Sequence, residues 1–270
     1  MSQRRPLKLI VLTDLHITPA GETIIGIDPG VRFAEALAHV ARHHSDADHL
    51  IVTGDLTHYG DDASYRRLTS LLAVTALPFT LLLGNHDRRE TFVDVFPSAK
   101  VDQHGFVQSV ADHGIWRLIF LDTLNGPPYS HNAIHAGHLC PKRLGWLDTA
   151  LAQAGQKPVL LFMHHPPHAV GFNGMDGIRL RDEPAFFDVL ARHRNVRHIF
   201  AGHIHRTISG SVRGIPFSIF KSPVHQQPMT FNSADTSLSV AEPGAYGIVF
   251  ATDHSVLVHT EDYTLSTPIV

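Results

Sequence analysis

The chain has 270 residues, 43% hydrophobic and 17% charged, which suits one globular domain with a sizeable core. Its formal net charge of −3, with histidines neutral, provides no basic field to draw nucleic acid or a membrane surface. A lone cysteine, Cys140, excludes an intrachain disulfide framework and a thiolate metal cage.

The first apolar run, Leu9 to Leu12, is ended by Asp14 and His16. It is too short for a signal-peptide core or a membrane span, so residues 8–13 read as a strand and the protein as cytoplasmic. A helix follows, with Asp28 at its N-cap, Pro29 in its first turn and Phe33, Leu37 and Val40 on one face. After a strand over 49–53, a second helix starts at Asp61 or Asp62 and carries Tyr65, Leu68, Leu71 and Leu72. Strands over 79–83 and 117–121 lead to a helix over 141–154, with Leu144, Leu147 and Leu151 at helical spacing. A strand over 159–163, a helix over 183–193 and a strand over 198–201 complete this alternation, which predicts an α/β fold. Strands over 216–220, 247–251 and 256–259 then follow without long helices. They predict a second, more antiparallel sheet built from the C-terminal third and, with helices outside, a four-layer α/β/β/α sandwich of two mixed sheets. No linker or repeat divides residues 1–270, so they read as one domain.

Five polar clusters directly follow predicted strands: Asp14-Leu15-His16, Gly54-Asp55, Gly84-Asn85-His86-Asp87, His164-His165 and Gly202-His203-Ile204-His205. Ligands of open α/β sheets bind beyond the carboxyl ends of the strands, so five such loops at one sheet edge would converge. Singly, each cluster has an ordinary reading as a cap, a turn or a strand end broken by proline. Their conjunction is harder to explain that way, because all five contain metal-capable side chains at strand ends. Of the 22 histidines, His39, His43 and His44 have a bland place on or beside a helix's polar face. The donor set of imidazoles, carboxylates and an amide, without thiolate, suits Zn²⁺, Mn²⁺, Fe²⁺ or Co²⁺ better than Mg²⁺ or Ca²⁺. Seven such groups are too many for one ion and suit two ions that share a carboxylate.

These blocks resemble the calcineurin-like metallophosphoesterase superfamily, whose pattern is D-x-H, GD, GNH[DE], H and GHxH in this order. The likeness covers about Leu9 to Arg206 with every block intact. Phe162-Met163-His164-His165-Pro166-Pro167, Ser222-Pro223-Val224-His225-Gln226 and the Asp87 ending of the third block resemble the bacterial glycerophosphodiesterase and class III cyclic-nucleotide phosphodiesterase branch. The resemblance implies one metal held by Asp14, His16, Asp55 and His205, and another by Asp55, Asn85, His164 and His203. Asp55 would bridge them, and His86 would contact the phosphoryl group. It implies a catalytic domain with cap or oligomerisation elements within about 206–250, a homo-oligomer, and small diesters such as glycerophosphodiesters or cyclic AMP as substrates. Leu56-Thr57-His58-Tyr59-Gly60 after Gly54-Asp55, and Asp87 in place of Glu, depart from the protein Ser/Thr phosphatases.

The chemistry this implies is hydrolysis by a hydroxide held between two divalent ions, whose pKa falls from 15.7 toward about 7. Two carboxylates and the hydroxide leave the site at about +1, which balances a diester monoanion. A phosphomonoesterase or nuclease on the same site is the alternative. Arg88, Arg89 and Arg206 would then hold a dianion, or they are solvated surface charges. A non-catalytic interaction module is a further alternative, although no ligand position is eroded. Asp122 reads as a turn or helix cap, and Trp116 and Trp146 as packing residues. His165 reads as a pocket neighbour of the ligands, His225 as a pocket or strand-end residue, and His58 and His168 as near the site.

Overall fold

The first strand, β1 (Leu7–Leu12), is buried at every position, and its two faces enter two different cores. Leu7, Leu9 and Val11 face one way, and Ile10 and Leu12 the other, as the period of two along a strand requires. A strand covered on both faces reads as a continuous apolar run. The computed structural model of the protein describes residues 5–129 and 134–265. After β1 come α1 (Pro29–His43), β2 (His49–Val52), α2 (Asp62–Leu72), β3 (Phe79–Leu81), α3 (Arg89–Val95), β4 (Ser109–His113) and β5 (Trp116–Phe120). Then follow α4 (Pro141–Ala154), β6 (Val159–Phe162), α5 (Asn173–Asp176), α6 (Glu183–Ala191) and β7 (Val196–Ala201). The chain closes with β8 (Ile208–Val212), β9 (Ile215–Ile219), β10 (Tyr246–Ala251) and β11 (Val256–Glu261).

Two mixed sheets form, in the orders β11-β10-β1-β2-β3 and β4-β5-β6-β7-β9-β8. Leu9, Val11 and Ile51 of the first sheet pack against Phe120, Leu160, Phe162 and Phe200 of the second. On its outer face the first sheet carries α1 and α2, through Phe33, Leu37, Tyr65 and Leu68. The second carries α4 and α6, through Leu147, Leu151, Phe186 and Leu190. Fully burying a side chain of this size contributes roughly 1.5–3 kcal/mol. The four-layer α/β/β/α sandwich is therefore what the sequence pattern predicts. Asp28 caps α1 by accepting from the backbone N–H of Gly30 and Val31 at 2.8 and 3.3 Å, and Asp61 caps α2 by accepting from Ser64 N at 2.9 Å. Trp116 is buried, and Trp146 packs against the second core. Among the described residues no helix is long and apolar enough to cross a membrane.

One expectation fails. The C-terminal strands do not make a sheet of their own. β10 pairs antiparallel with β1, Ile10 facing Ile248, and brings β11 with it, whereas β9 joins β7 in parallel, Phe200 facing Ser218. Both sheets thus combine early or middle strands with late ones, because pairing partners are chosen by long-range burial rather than by nearness in sequence. The sequence pattern also misses β4 and β8, the two edge strands of the second sheet. Half exposed, β4 and β8 lack the apolar signal of central strands.

Candidate metal centre

The five clusters follow β1, β2, β3, β6 and β7. They gather beyond the carboxyl ends of both sheets, not at the edge of one as the sequence reading has it. Backbone bonds hold neighbouring loops together: Asp14 N donates to Gly54 O at 3.0 Å, His16 N to Asp55 O at 2.9 Å, and Gly202 N to His164 O at 2.9 Å. Bonds between the sheets close the site. His203 N donates to the Asp14 carboxylate at 3.0–3.1 Å, and His164 Nδ1 donates to Thr53 O at 3.0 Å.

The backbone is bent where the donors sit. Seven non-glycine residues with positive φ occur among the described residues, and five are Asp14, His16, Asp55, His203 and His205, with φ between 45° and 72°. Such conformations are uncommon and cost about 1–3 kcal/mol each, so their concentration at one place marks a functional constraint. Glycine provides the close approach between loops. At Gly54, φ 109°, a Cβ would stand 2.6 Å from His164 Nδ1 and 2.8 Å from Gly84 N. A Cβ at Gly84 would overlap the Asp55 carboxylate.

The donor atoms of Asp14, His16, Asp55 and His205 all lie within 4.8 Å of one another. His16 Nε2 is 3.1 Å from His205 Nε2 and 3.6 Å from Asp55 Oδ2, and His205 Nε2 is 3.4 Å from Asp14 Oδ1. Four donors about 2.1 Å from a tetrahedral ion stand about 3.4 Å apart, so the spacing fits a shared cation. Asp55 Oδ2 also lies 3.4 Å from His164 Nε2, which is 3.2 Å from Asn85 Oδ1. The His203 ring is 5.2 Å from that of His164, and its buried Nε2 has no partner among the described residues. All seven candidate ligands are buried together; the donors of Asp14, His16, Asp55 and His205 form one group, whereas those of His203 group with His164 and His165.

Hydrogen bonds set the tautomers this requires. His164 gives its Nδ1 proton to Thr53 O, and His205 gives its own to His225 O at 2.9 Å, which leaves Nε2 of each toward the cluster. Burial and the neighbouring His164 push His203 down to about 3, and burial with His86 holds His16 well below the ordinary value. Both are neutral imidazoles, the ligating form. Burial opposes the charge on His164, but the Asp55 and Asp14 carboxylates outweigh it and raise His164 to about 9. A cation would replace that proton.

Asp87, read from the sequence only as a branch marker, joins the loops after β2 and β3. Its fully buried carboxylate accepts from Gly84 N (2.9 Å), Leu56 N (3.0 Å), Thr57 N (3.1 Å) and the Tyr65 hydroxyl (2.9 Å). Burial, then the charge on Asp55, pushes Asp87 up to about 6.

A cavity of about 340 Å³ opens over the cluster. His58, His86, His135 and His225 line it with the candidate ligands, as do Gln227 and Thr236 to Ser239 of the expected cap segment. The His58 carbonyl accepts from His86 Nδ1 at 2.9 Å, and the His86 backbone N–H donates to Asp55 Oδ1 at 2.8 Å. His135, which no motif singled out, meets Asn85 Nδ2 at 3.1 Å through its own Nδ1 and so turns the Asn85 oxygen toward His164. His165 packs against His164 and His203, with Nδ1 at 2.8 Å from the Thr123 hydroxyl.

Other sequence candidates lie elsewhere. His168 is exposed and pairs with Glu183 at 2.6 Å, and Arg206 pairs with Glu242 at 2.5 Å. Arg89 is buried in a two-pronged pair with Asp122 at 2.9 and 3.0 Å. Asp122 accepts from Leu124 N at 3.0 Å, a turn contact, but caps no helix; its larger role is to neutralise Arg89.

Comparison with known proteins agrees with this geometry. A family profile described as calcineurin-like phosphoesterase matches residues 7–207. A probable cyclic nucleotide phosphodiesterase of Rhodopseudomonas palustris is 39% identical, over 97% of this chain and 95% of that protein. A 3′,5′-cyclic adenosine monophosphate phosphodiesterase of Pseudomonas aeruginosa is 30% identical, over 87% of this chain and 82% of that one. Among solved structures, a dimetal phosphatase from Danio rerio superposes with a TM-score of 0.71 over 95% of this chain and 96% of that one, at 14% identity, a likeness of fold.

Proposed function

The chain belongs to the calcineurin-like phosphoesterase family, and on that premise we propose a binuclear phosphodiesterase of small diesters, cyclic nucleotides foremost. It is a metal-dependent hydrolase of phosphoric diesters, in keeping with its named relatives. The observation that carries the binuclear reading is Asp55, whose Oδ2 stands between His16 Nε2 at 3.6 Å and His164 Nε2 at 3.4 Å. Asp14, His16, Asp55 and His205 would hold one ion, and Asp55, Asn85, His164 and His203 the other. When bound, two such ions supply Lewis-acid charge and an acidified water.

The chain's own groups do the rest. The His86 ring, fixed by its bond to the His58 carbonyl, presents its second nitrogen to the phosphoryl oxygen or the leaving oxygen, and is donor and acid there in the form in which both ring nitrogens carry a proton. Asp87 and Tyr65 hold the loop from which His86 projects.

Charge favours a diester. Of the three arginines that flank the blocks, Arg89 and Arg206 are committed to Asp122 and Glu242, and Arg88, over the Tyr129 ring, lines the neighbouring cavity rather than the one over the cluster. Among the described residues, then, no arginine lines the cavity over the cluster to balance the second charge of a monoester. Metal-loaded protein is expected to show a higher kcat/KM for bis(p-nitrophenyl) phosphate than for p-nitrophenyl phosphate at neutral pH. The reverse order would move the protein to the phosphomonoesterase reading.

A homo-oligomer belongs to the same proposal. Met229 and Phe231, 56% and 48% exposed, project from the segment that lines the cavity and suit burial against a second copy. Light scattering at micromolar concentration is expected to give at least a dimer; a monomer contradicts it.

A further inference from the structure

Beside the cavity over the metal cluster lies a second one of about 250 Å³. The two share His58, Asn85, His86 and His135 as a common wall, so a molecule whose phosphoryl group meets His86 extends naturally into the second space. The remaining wall includes Tyr59, Arg88 and Tyr129, none of which enters the chemistry above.

These three side chains make a fixed stacking surface. Tyr59 is 53% exposed, unusual for so large an aromatic ring, and is steadied edge-on by the His58 ring at 4.7 Å. The Arg88 guanidinium lies over the Tyr129 ring, 4.5 Å from its centroid. The Tyr129 hydroxyl donates to Glu90 Oε2 at 2.7 Å and accepts from Arg89 N at 3.0 Å, so that ring is anchored. The Arg88 stem packs against Gly60, where a Cβ would collide with it. Unlike Arg89 and Arg206, Arg88 pairs with no carboxylate among the described residues; its Nη1 donates only to the Asp87 carbonyl, at 2.8 Å. The cavity thus offers an open aromatic ring, a planar cation and spare N–H donors.

That combination recognises a flat heteroaromatic ring bearing acceptor nitrogens or carbonyls. Bases stack on tyrosine and on guanidinium planes, and the spare donors can meet ring acceptors. A glycerol or ethanolamine group has no face to stack. We propose that this side cavity is a nucleoside subsite and that it directs the enzyme to cyclic nucleotides over glycerophosphodiesters. The assignment of a natural substrate rests on the diesterase reading, whereas the subsite can be measured without turnover.

The test uses metal-loaded protein and the variants Tyr59→Leu, Arg88→Met and their combination. Calorimetry compares adenosine 5′-monophosphate with glycerol 3-phosphate, which carry the same phosphate group and differ in the nucleoside. The wild type is expected to bind the nucleotide at least ten-fold more tightly, and each substitution to remove part of that preference, on the order of ten-fold for a stacked base. In parallel, the ratio of kcat/KM for cyclic AMP to that for ethyl p-nitrophenyl phosphate is expected to fall by a similar factor. Equal binding of the two ligands by the wild type overturns the subsite, as does a preference that survives both substitutions. A preference that depends on Tyr59 and Arg88 in a protein that turns over no diester supports the subsite and overturns the diesterase reading instead.

Discussion

Replacing Asp55 by Ala is expected to abolish diester hydrolysis and to lower bound metal from about two transition-metal ions per chain to less than one. Asp55 is the group that both halves of the cluster share, with Oδ2 3.6 Å from His16 Nε2 and 3.4 Å from His164 Nε2. Its other oxygen accepts from His86 N at 2.8 Å, so the carboxylate is fixed before any ion arrives. Burial alone would raise the Asp55 pKa, but His164 and the neighbouring imidazoles hold it well below the usual range, so it is ionised at neutral pH. Without it two dications would lose the one protein carboxylate they would share and repel each other more strongly. The Asp55 backbone has φ 47°, which Ala adopts less readily than Asp or Asn, so Asp55→Asn is the companion variant. It keeps the volume and the turn but removes the bridging charge. Elemental analysis, turnover on bis(p-nitrophenyl) phosphate and thermal unfolding separate the outcomes. Two ions per chain or substantial turnover in Asp55→Ala would remove the bridge, and a wild-type stoichiometry saturating at one would sink the binuclear site.

His86→Ala is expected to leave metal content nearly intact and to slow turnover by about 10²-fold or more, the scale for a positioned acid or oxyanion donor. The structure makes these effects separable. His86 hydrogen-bonds the candidate ligand Asp55 through its backbone N–H, which Ala retains. Its ring is what the substitution removes, from a stack with His58 at 5.1 Å and an edge contact with His16 at 4.7 Å. The loop keeps its anchor in Asp87. An alkyl diester, whose leaving oxygen needs a proton, is expected to suffer more than an activated nitrophenyl ester. Unchanged turnover on both would exclude His86 from the mechanism.

The clusters that make up the candidate site were legible in the sequence because their information is local. A strand long enough to be buried reads as an apolar run, and a carboxylate or imidazole directly after it has nowhere to go but the strand's carboxyl end. Order, residue type and strand-end placement single out the five clusters, and the family resemblance picks from them Asp14, His16, Asp55, Asn85, His164, His203 and His205 as the expected ligands. The Pro29 and Pro141 helices were legible for the same reason, since caps and helical spacing act within a few residues.

What the tertiary structure alone decided is every relation between segments far apart in the chain. It assigned β9 to one sheet and β10 to the other, so the loops converge from two sheets. It spent Arg89 on Asp122 and Arg206 on Glu242, while leaving Arg88 open beside Tyr59 and Tyr129. It made Asp87 a knot between two loops and gave the carbonyls of His58 and His225 the task of turning His86 and His205. A residue's type and its neighbours in sequence fix what it can bind. Which partner reaches it is set by packing between segments far apart in the chain, as the separation of 189 positions between Asp14 and the His203 amide that binds it shows.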